Sequence, residues 1–139
     1  MSSKRPDEAH AARRIILAED DPDLRGLIAD ELRDDGYDVT EVADGGRMLV
    51  RIAQEYASAD EPRDAFDLII SDVYMPVCTG TQIVQGLRRA HWHTPVILMT
   101  ARVSRSTRAI AETLGALLLP KPFDVRELKA AIGTLLKPS

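Results

Sequence analysis

The 139-residue sequence has only one cysteine, Cys78. A single cysteine excludes an intramolecular disulfide and any metal site built from several cysteines. This sparing use of cysteine is typical of proteins in a reducing compartment. We therefore expect a cytoplasmic protein.

Long apolar runs and an excess of basic residues are also lacking. No stretch approaches the length of a membrane span, and the N-terminal segment MSSKRPDEAHAARR has no apolar centre of the kind that secretory signals need. We interpret residues 1–13 as a flexible tail. The net charge of -4 disfavours a general binder of nucleic acids or membrane surfaces, so we expect neither as a direct partner.

What the sequence does contain is a fivefold alternation of apolar runs and amphipathic segments. The apolar runs predict strands at residues 14–18, 37–42, 66–71, 95–100 and 116–119. Each is followed by apolar residues at helical spacing: Leu24, Leu27, Ile28 and Leu32; Met48, Leu49, Ile52, Ala53 and Tyr56; Ile83, Val84 and Leu87; Ile110 and Leu114; and Val125, Leu128, Ile132, Leu135 and Leu136. Because the central runs are apolar throughout, they favour a parallel sheet with helices on both faces. We predict one α/β domain over residues 14–137.

Polar residues stand at the ends of four of these predicted strands. Glu19 and Asp20 follow the first, Asp72 follows the third, Thr100 closes the fourth and Lys121 comes after the fifth. An open doubly wound sheet has its site beyond the carboxyl ends of its strands. We therefore expect these five residues to converge. Pro22 suits the first position of a helix. We therefore interpret Asp21, which precedes it, as the N-cap of that helix rather than a site residue.

Three of the converging residues are carboxylates, and their mutual repulsion has to be relieved. At about 5 Å and an effective dielectric constant near 20, each charged pair repels by roughly 3 kcal/mol. Oxygen ligands without histidine or cysteine favour a hard divalent ion, usually Mg²⁺. With Lys121 and Thr100 beside it, such a site suits phosphoryl transfer, in which the Asp72 carboxylate can attack a phosphoryl group.

Four ordered motifs make residues 14–136 resemble the receiver domains of bacterial two-component response regulators. The motifs are ILAEDDPDLR, DLIISDVYMPVCTG, VILMTA and PKPFDVREL. The resemblance implies a flavodoxin-like (βα)5 fold, with strand order 2-1-3-4-5 and helices on both faces. It also implies a signalling switch rather than a turnover enzyme.

The same resemblance assigns roles to the site residues. Asp72 would accept a phosphoryl group from a histidine kinase or a histidine phosphotransfer protein, and the switch would act on a downstream protein partner. Mg²⁺ would be bound by Asp20, by Asp72 and by the backbone carbonyl of Tyr74, with Glu19 acting through water.

Two further assignments follow for the residues at the ends of the last two strands. Thr100 would be the switch hydroxyl, and Lys121 would pair with the phosphoryl group. The peptide bond between Lys121 and Pro122 is expected to be cis.

Four positions around the site are expected to modulate it. Tyr74 and Arg102 lie two residues after Asp72 and Thr100, where they would shield or pair with the acyl phosphate and so lengthen its lifetime; Ala101 directly follows the threonine. Leu118 departs from the family pattern, which usually has Tyr or Phe three residues before the lysine. The segment from residue 115 to residue 121 is also one residue shorter than is common. Phosphorylation should survive both departures, but the usual coupling of threonine to an aromatic residue cannot operate in its familiar form.

Two rival functions were weighed against this interpretation. A phosphatase of the haloacid-dehalogenase type needs a second aspartate two residues after the nucleophile, where this chain has Tyr74. A receiver-like scaffold that is never phosphorylated remains the alternative, since Leu118 leaves room for it. The chain ends in LLKPS directly after the last predicted helix. We therefore expect a stand-alone receiver without an output domain, with an excised part of a longer regulator as the other reading.

Overall fold

The computed structural model describes residues 12–60, 65–75 and 78–136, which form a parallel five-stranded sheet flanked by five helices. The strands are β1 Arg14–Ala18, β2 Asp38–Val42, β3 Leu68–Asp72, β4 Val96–Thr100 and β5 Leu117–Pro120; the helices are α1 Pro22–Asp34, α2 Gly45–Ser58, α3 Gly80–Arg89, α4 Arg105–Leu114 and α5 Val125–Leu135. The strand order is β2-β1-β3-β4-β5, which confirms the predicted fold class. Residues 1–11, most of the predicted tail, lie outside the described residues. None of the described helices has the length and apolarity of a membrane span.

The sheet is buried on both faces because neighbouring residues of a strand point to opposite sides. Ile16 and Ile69 pack in a cluster with residues of α2, α3 and α4. Their neighbours Leu17 and Ile70 pack in a second cluster with residues of α1 and α5. Each apolar strand therefore contributes alternate side chains to the two hydrophobic cores, as the sequence pattern predicted.

The helices that leave the site begin at defined caps. Asp21 accepts hydrogen bonds from the backbone N–H groups of Asp23 and Leu24, and Pro22 occupies the first turn, as predicted. Before α5, Asp124 and Glu127 form a reciprocal capping box. These caps fix where the chain turns away from the carboxyl edge of the sheet.

The predicted apolar faces of three helices need correction. Leu27, Leu49 and Ile110 are 52%, 49% and 37% exposed, although their spacing predicted core positions. In α4 the buried residues are instead Thr107 and Ala111. The Thr107 hydroxyl is paired with the N-cap serine, so its burial leaves no polar group unsatisfied.

The connection between α3 and β4 is fixed at the amino-terminal edge of the sheet, opposite the strand ends that carry the polar residues. The rings of Tyr56 and Trp92 are stacked with their centroids 4.1 Å apart, and the Tyr56 hydroxyl pairs with Thr94 at 2.7 Å. Arg88 donates hydrogen bonds to the backbone carbonyls of Trp92, Thr94 and Leu114. These bonds join the end of α3 to the end of α4.

Candidate functional site

The polar residues at the strand ends converge, as the topology predicts. Glu19 directly follows β1, Asp72 is the last residue of β3 and Thr100 the last of β4. Lys121 comes directly after β5, and its backbone N–H donates to the Thr100 carbonyl at 2.7 Å. Because the strands are parallel, these four side chains share one edge of the sheet. The Lys121–Pro122 peptide bond is cis, as expected.

Lys121 forms the electrostatic centre of this edge. Its Nζ lies 2.6 Å from Glu19 Oε1 and 2.7 Å from Asp72 Oδ2. Burial works to lower the pKa of Lys121, but hydrogen bonds to Asp72 and Glu19 outweigh it and raise that pKa above its usual value. The lysine therefore remains a cation shared between two buried carboxylates.

Glu19 is fully buried, and both of its oxygens are occupied. Oε1 accepts from Lys121 and Oε2 accepts from the backbone N–H of Asp21 at 3.1 Å. Burial nevertheless raises the pKa of Glu19, because loss of solvation penalises the carboxylate more than the Lys121 hydrogen bond favours it. Binding a second cation nearby would offset that penalty.

The predicted acidic group is present. One carboxylate oxygen from each of Glu19, Asp20 and Asp72 lies within 4.8 Å of the others. Asp20 is exposed to solvent, whereas Asp72 is buried and its Oδ1 accepts from the Tyr74 backbone N–H at 3.0 Å. A donor set of oxygens alone at this spacing fits a hard divalent cation such as Mg²⁺.

Thr100 is fully buried, and its hydroxyl is tied to the following loop. It accepts from the backbone N–H of Arg102 at 3.0 Å and donates to the carbonyl of the same residue at 3.1 Å. The hydroxyl would therefore have to leave Arg102 in order to bond an oxygen above Asp72.

An open cleft of about 530 Å³ lies over the acidic group. Its lining consists of Asp20, Asp72, Tyr74, Ala101, Arg102 and Lys121. The predicted neighbours of the site are thus placed together, with the Tyr74 side chain 52% exposed. Leu118 is different, because it is partly buried and packs against the core on the α2–α4 side of the sheet.

Close backbone packing holds Asp72 in place. A Cβ atom on Gly80 would lie 2.6 Å from the Asp72 carbonyl oxygen and 2.9 Å from Ser71 Oγ, so the first residue of α3 has room only for hydrogen. The sequence alone did not reveal this contact, nor the two backbone donors to Glu19 and Asp72. Backbone N–H donors cannot be recognised from residue types, because every residue except proline has one. The glycine that begins a helix after the strand ending in aspartate is a weak sequence signal for close backbone packing.

Comparison with known proteins matches most of this chain to one family model. The family model for the response regulator receiver domain matches residues 15–133. The transcriptional regulatory protein CpxR of Escherichia coli (strain K12) is 38% identical over 127 residues, which cover 91% of this chain and 50% of that protein. This chain spans about half the length of the curated relatives it matches.

Solved structures give the same likeness. The chemotaxis protein CheY4 of Vibrio cholerae superposes with a TM-score of 0.75 at 30% identity, covering 91% of this chain and 100% of that one. The response regulator TrrA of Thermotoga maritima, in complex with Mg²⁺-BeF, superposes with a TM-score of 0.71 at 26% identity, covering 89% of this chain and 99% of that one.

Proposed function

Because this chain belongs to the response regulator receiver domain family, we propose that it is a phosphoacceptor switch in which Asp72 is the acceptor. The observation that carries the proposal is the contact of Lys121 Nζ with Asp72 Oδ2 at 2.7 Å, inside an acidic group that faces an open cleft. A buried carboxylate that faces an open cleft can attack a phosphoryl group that enters the cleft. The cation beside it can stabilise the negative charge of the phosphoryl oxygens.

The phosphoryl donor would be a phosphohistidine of a histidine kinase or of a phosphotransfer protein. An Asp72 carboxylate oxygen forms a bond to phosphorus while the bond from phosphorus to the histidine nitrogen breaks. The electron pair of that bond leaves with the nitrogen. Lys121 then balances negative charge on the phosphoryl oxygens, and the Thr100 hydroxyl turns to donate a hydrogen bond to one of them.

Asp20, Asp72 and the Tyr74 carbonyl are the groups that would hold Mg²⁺, which when bound neutralises charge on the phosphoryl oxygens. Glu19 would act through water, because it is fully buried beneath Lys121 whereas its neighbour Asp20 is exposed. The site of TrrA, which was solved with Mg²⁺-BeF, lends support by similarity.

The consequence of phosphorylation would be a shift of the conformational population on the face formed by α4, β5 and α5, which then binds a downstream protein. The chain acts in this proposal as a switch, with slow loss of its own phosphoryl group as the only turnover. A single cysteine supports a cytoplasmic setting. A stand-alone receiver and the receiver part of a longer regulator both fit the proposal.

Intact-mass spectrometry after incubation with acetyl phosphate and Mg²⁺ tests the central claim. We expect one phosphoryl adduct on the chain, none on Asp72→Asn, and an unchanged adduct on the control Asp67→Asn, which alters an aspartate at the opposite edge of the sheet. An adduct that persists in Asp72→Asn contradicts the assignment. No adduct on the unaltered chain favours the scaffold alternative.

A further inference from the structure

The segment that follows β4 carries two arginines besides Arg102, namely Arg105 and Arg108, that neither the fold nor the phosphoryl chemistry accounts for. Residues 101–123 contain four basic side chains and only one acidic one, in a chain whose net charge is -4. Arg102, Arg105 and Arg108 are all exposed. We call these three residues the arginine surface.

The arginines of the first two helices are satisfied by neighbouring acids. Each arginine of α1 and α2 makes an ion pair: Arg25–Glu41, Arg33–Glu41, Arg47–Asp44 and Arg51–Glu55. By contrast, within residues 12–60, 65–75 and 78–136 the guanidinium groups of the arginine surface make no ion pair or hydrogen bond. Their five N–H donors each are therefore available to a partner.

The arrangement is not one that helix stability favours. Arg105 is the first residue of α4, and the first turn contains no acidic residue. A cation in the first turn opposes the positive end of the helix dipole. Arg105 and Arg108 are three residues apart and therefore neighbours on the helix, and both are exposed.

Geometry and charge together select the partner. Two guanidinium groups side by side match two carboxylates that are three or four residues apart on a facing helix, because arginine bonds carboxylates with a planar fork. Val103, which is 38% exposed, adds apolar contact area beside Arg102. A symmetric contact that set the arginine surface directly against its own copy would be opposed by like-charge repulsion.

We propose that the arginine surface docks an acidic, helical segment of another protein. The proposal deepens the proposed switch and rests on it, since it gives the chemistry of the downstream partner. Arg102 links the two sites, because its side chain lines the cleft above Asp72 while its backbone holds the Thr100 hydroxyl. A change at Thr100 would thereby alter one end of the docking surface.

The probe is a fluorescein-labelled amphipathic peptide with glutamate pairs four residues apart and leucines on the other face, and its partner peptide replaces each glutamate with glutamine. Anisotropy is measured with the full chain. We expect the glutamate peptide to bind at least about tenfold more tightly than the glutamine peptide. Higher salt should weaken the difference, because exposed charges are screened.

Arg105→Glu/Arg108→Glu should weaken binding of the glutamate peptide by about tenfold or more, and Arg105→Gln/Arg108→Gln by less. The matched control Arg13→Glu/Arg89→Glu makes the same change in net charge away from α4 and should leave binding nearly unchanged. Circular dichroism checks that each variant is folded. Equal losses in the test and control variants, or no preference for glutamate, would overturn the proposal.

Further measurements test two other binding partners for the arginine surface, a DNA duplex and a second copy of the chain. Tighter binding of a DNA duplex that depends on Arg105 and Arg108, or self-association that these substitutions abolish, would likewise reject an acidic protein segment as the partner. Phosphoryl uptake by Arg105→Glu/Arg108→Glu is measured separately and should be normal. Failure of docking is thereby distinguished from failure of Asp72 as the acceptor.

Discussion

The Thr100 hydroxyl and the backbone of Arg102 are joined by two hydrogen bonds, one accepted from the N–H and one donated to the carbonyl. The hydroxyl group that would bond a phosphoryl oxygen is thus the same group that holds the start of the β4–α4 loop. A movement of the Thr100 hydroxyl into the cleft would break both hydrogen bonds and release the start of the β4–α4 loop. This route to α4 does not need an aromatic residue at position 118, where Leu118 is packed into the core.

Replacing Thr100 with valine should release the Arg102 amide. Valine keeps the volume of the buried side chain but removes the acceptor, and one lost hydrogen bond of about 1 kcal/mol corresponds to roughly fivefold faster amide exchange. Hydrogen exchange measured by NMR provides the test, with Thr100→Ser as the control that retains the hydroxyl. Equal protection of this amide in the valine variant would show that the two hydrogen bonds do not hold the loop.

The lifetime of the acyl phosphate should depend on the two side chains that lie over it. Tyr74 and Arg102 line the cleft above Asp72, where they would limit the approach of water to an acyl phosphate. We expect the double variant Tyr74→Ala/Arg102→Ala to lose its phosphoryl group several-fold faster than the unaltered chain. Decay is followed by intact mass after acetyl phosphate is removed, and Arg105→Ala serves as the control. Unchanged or slower decay rejects this role.

Lys121 and Lys129 offer a comparison of buried and exposed bridging lysines. Each contacts two carboxylates, but Lys121 reaches the buried Glu19 and Asp72 whereas Lys129 reaches Glu31 and Asp35 at the surface. Lys121→Met should lower the free energy of unfolding by about 3 kcal/mol, because it leaves buried carboxylates without a cation. Mg²⁺ should then raise the melting temperature more than it does in the unaltered chain.

Lys129→Met is the matched control for that experiment. Solvent screens the charges around it, so its melting temperature should change much less and its response to Mg²⁺ should stay normal. Calorimetry with and without Mg²⁺ measures both quantities. Equal destabilisation by the two substitutions would mean that burial does not increase the contribution of the Lys121 ion pairs to the free energy of unfolding.

The burial of Glu19 should make stability depend on pH in a defined direction. Its pKa is raised above the ordinary 4.5, so the folded chain holds this proton more tightly than the unfolded chain. The stabilisation from protonated Glu19 is fully present below pH 4.5 and is lost as pH rises through the folded-state pKa. Glu19→Gln cannot ionise and keeps a neutral group there.

In Mg²⁺-free buffer, the stability of Glu19→Gln relative to the unaltered chain should therefore increase as the pH rises above 4.5. Urea unfolding at a series of pH values measures this difference, and Glu112→Gln, at an exposed position on α4, should show no such trend. A difference that stays constant over the same range contradicts the raised pKa.

Two glycines of α3 should respond oppositely to substitution by alanine. The Cβ of Gly80→Ala would press on the Asp72 carbonyl at 2.6 Å, which should lower the melting temperature and slow phosphoryl uptake. Gly86→Ala has nothing within 4 Å of its Cβ and should stabilise the helix by about 0.5–1 kcal/mol. Thermal unfolding and mass spectrometry distinguish the two. Normal phosphoryl uptake by Gly80→Ala would argue that the loop tolerates a shift of Asp72.

The sequence predicted which residues meet at the site because parallel strands bring their carboxyl ends to one edge. It did not predict that Lys121 would bridge Glu19 and Asp72. That contact depends on side-chain rotamers and on the full burial of Glu19 beside an exposed Asp20, and residue types alone do not distinguish these two neighbours. The domain boundaries and the roles of the site residues stay predictions.

Helix positions and helix faces differed in how well they could be predicted. The helix expected around Ile110 and Leu114 is present as α4, yet Thr107 and Ala111 are buried where Ile110 was expected. Hydrophobicity favoured isoleucine, but small side chains allow a helix to approach the sheet closely, and the Ser104 hydroxyl satisfies that of Thr107. Such packing choices depend on the neighbouring elements, which a single segment does not reveal.

The stacked ring of Trp92 determines what can be observed optically in this protein. Trp92 is the only tryptophan of the sequence. It precedes β4 and lies at the amino-terminal edge of the sheet, whereas Asp72 ends β3 at the carboxyl edge. About 16 Å of strand separates these two edges. The emission of Trp92 should therefore report unfolding strongly, because loss of the core separates it from Tyr56. Titration of the cleft with Mg²⁺ or acetyl phosphate should leave that emission nearly constant. Activation will have to be followed with an introduced fluorophore near the β4–α4 loop.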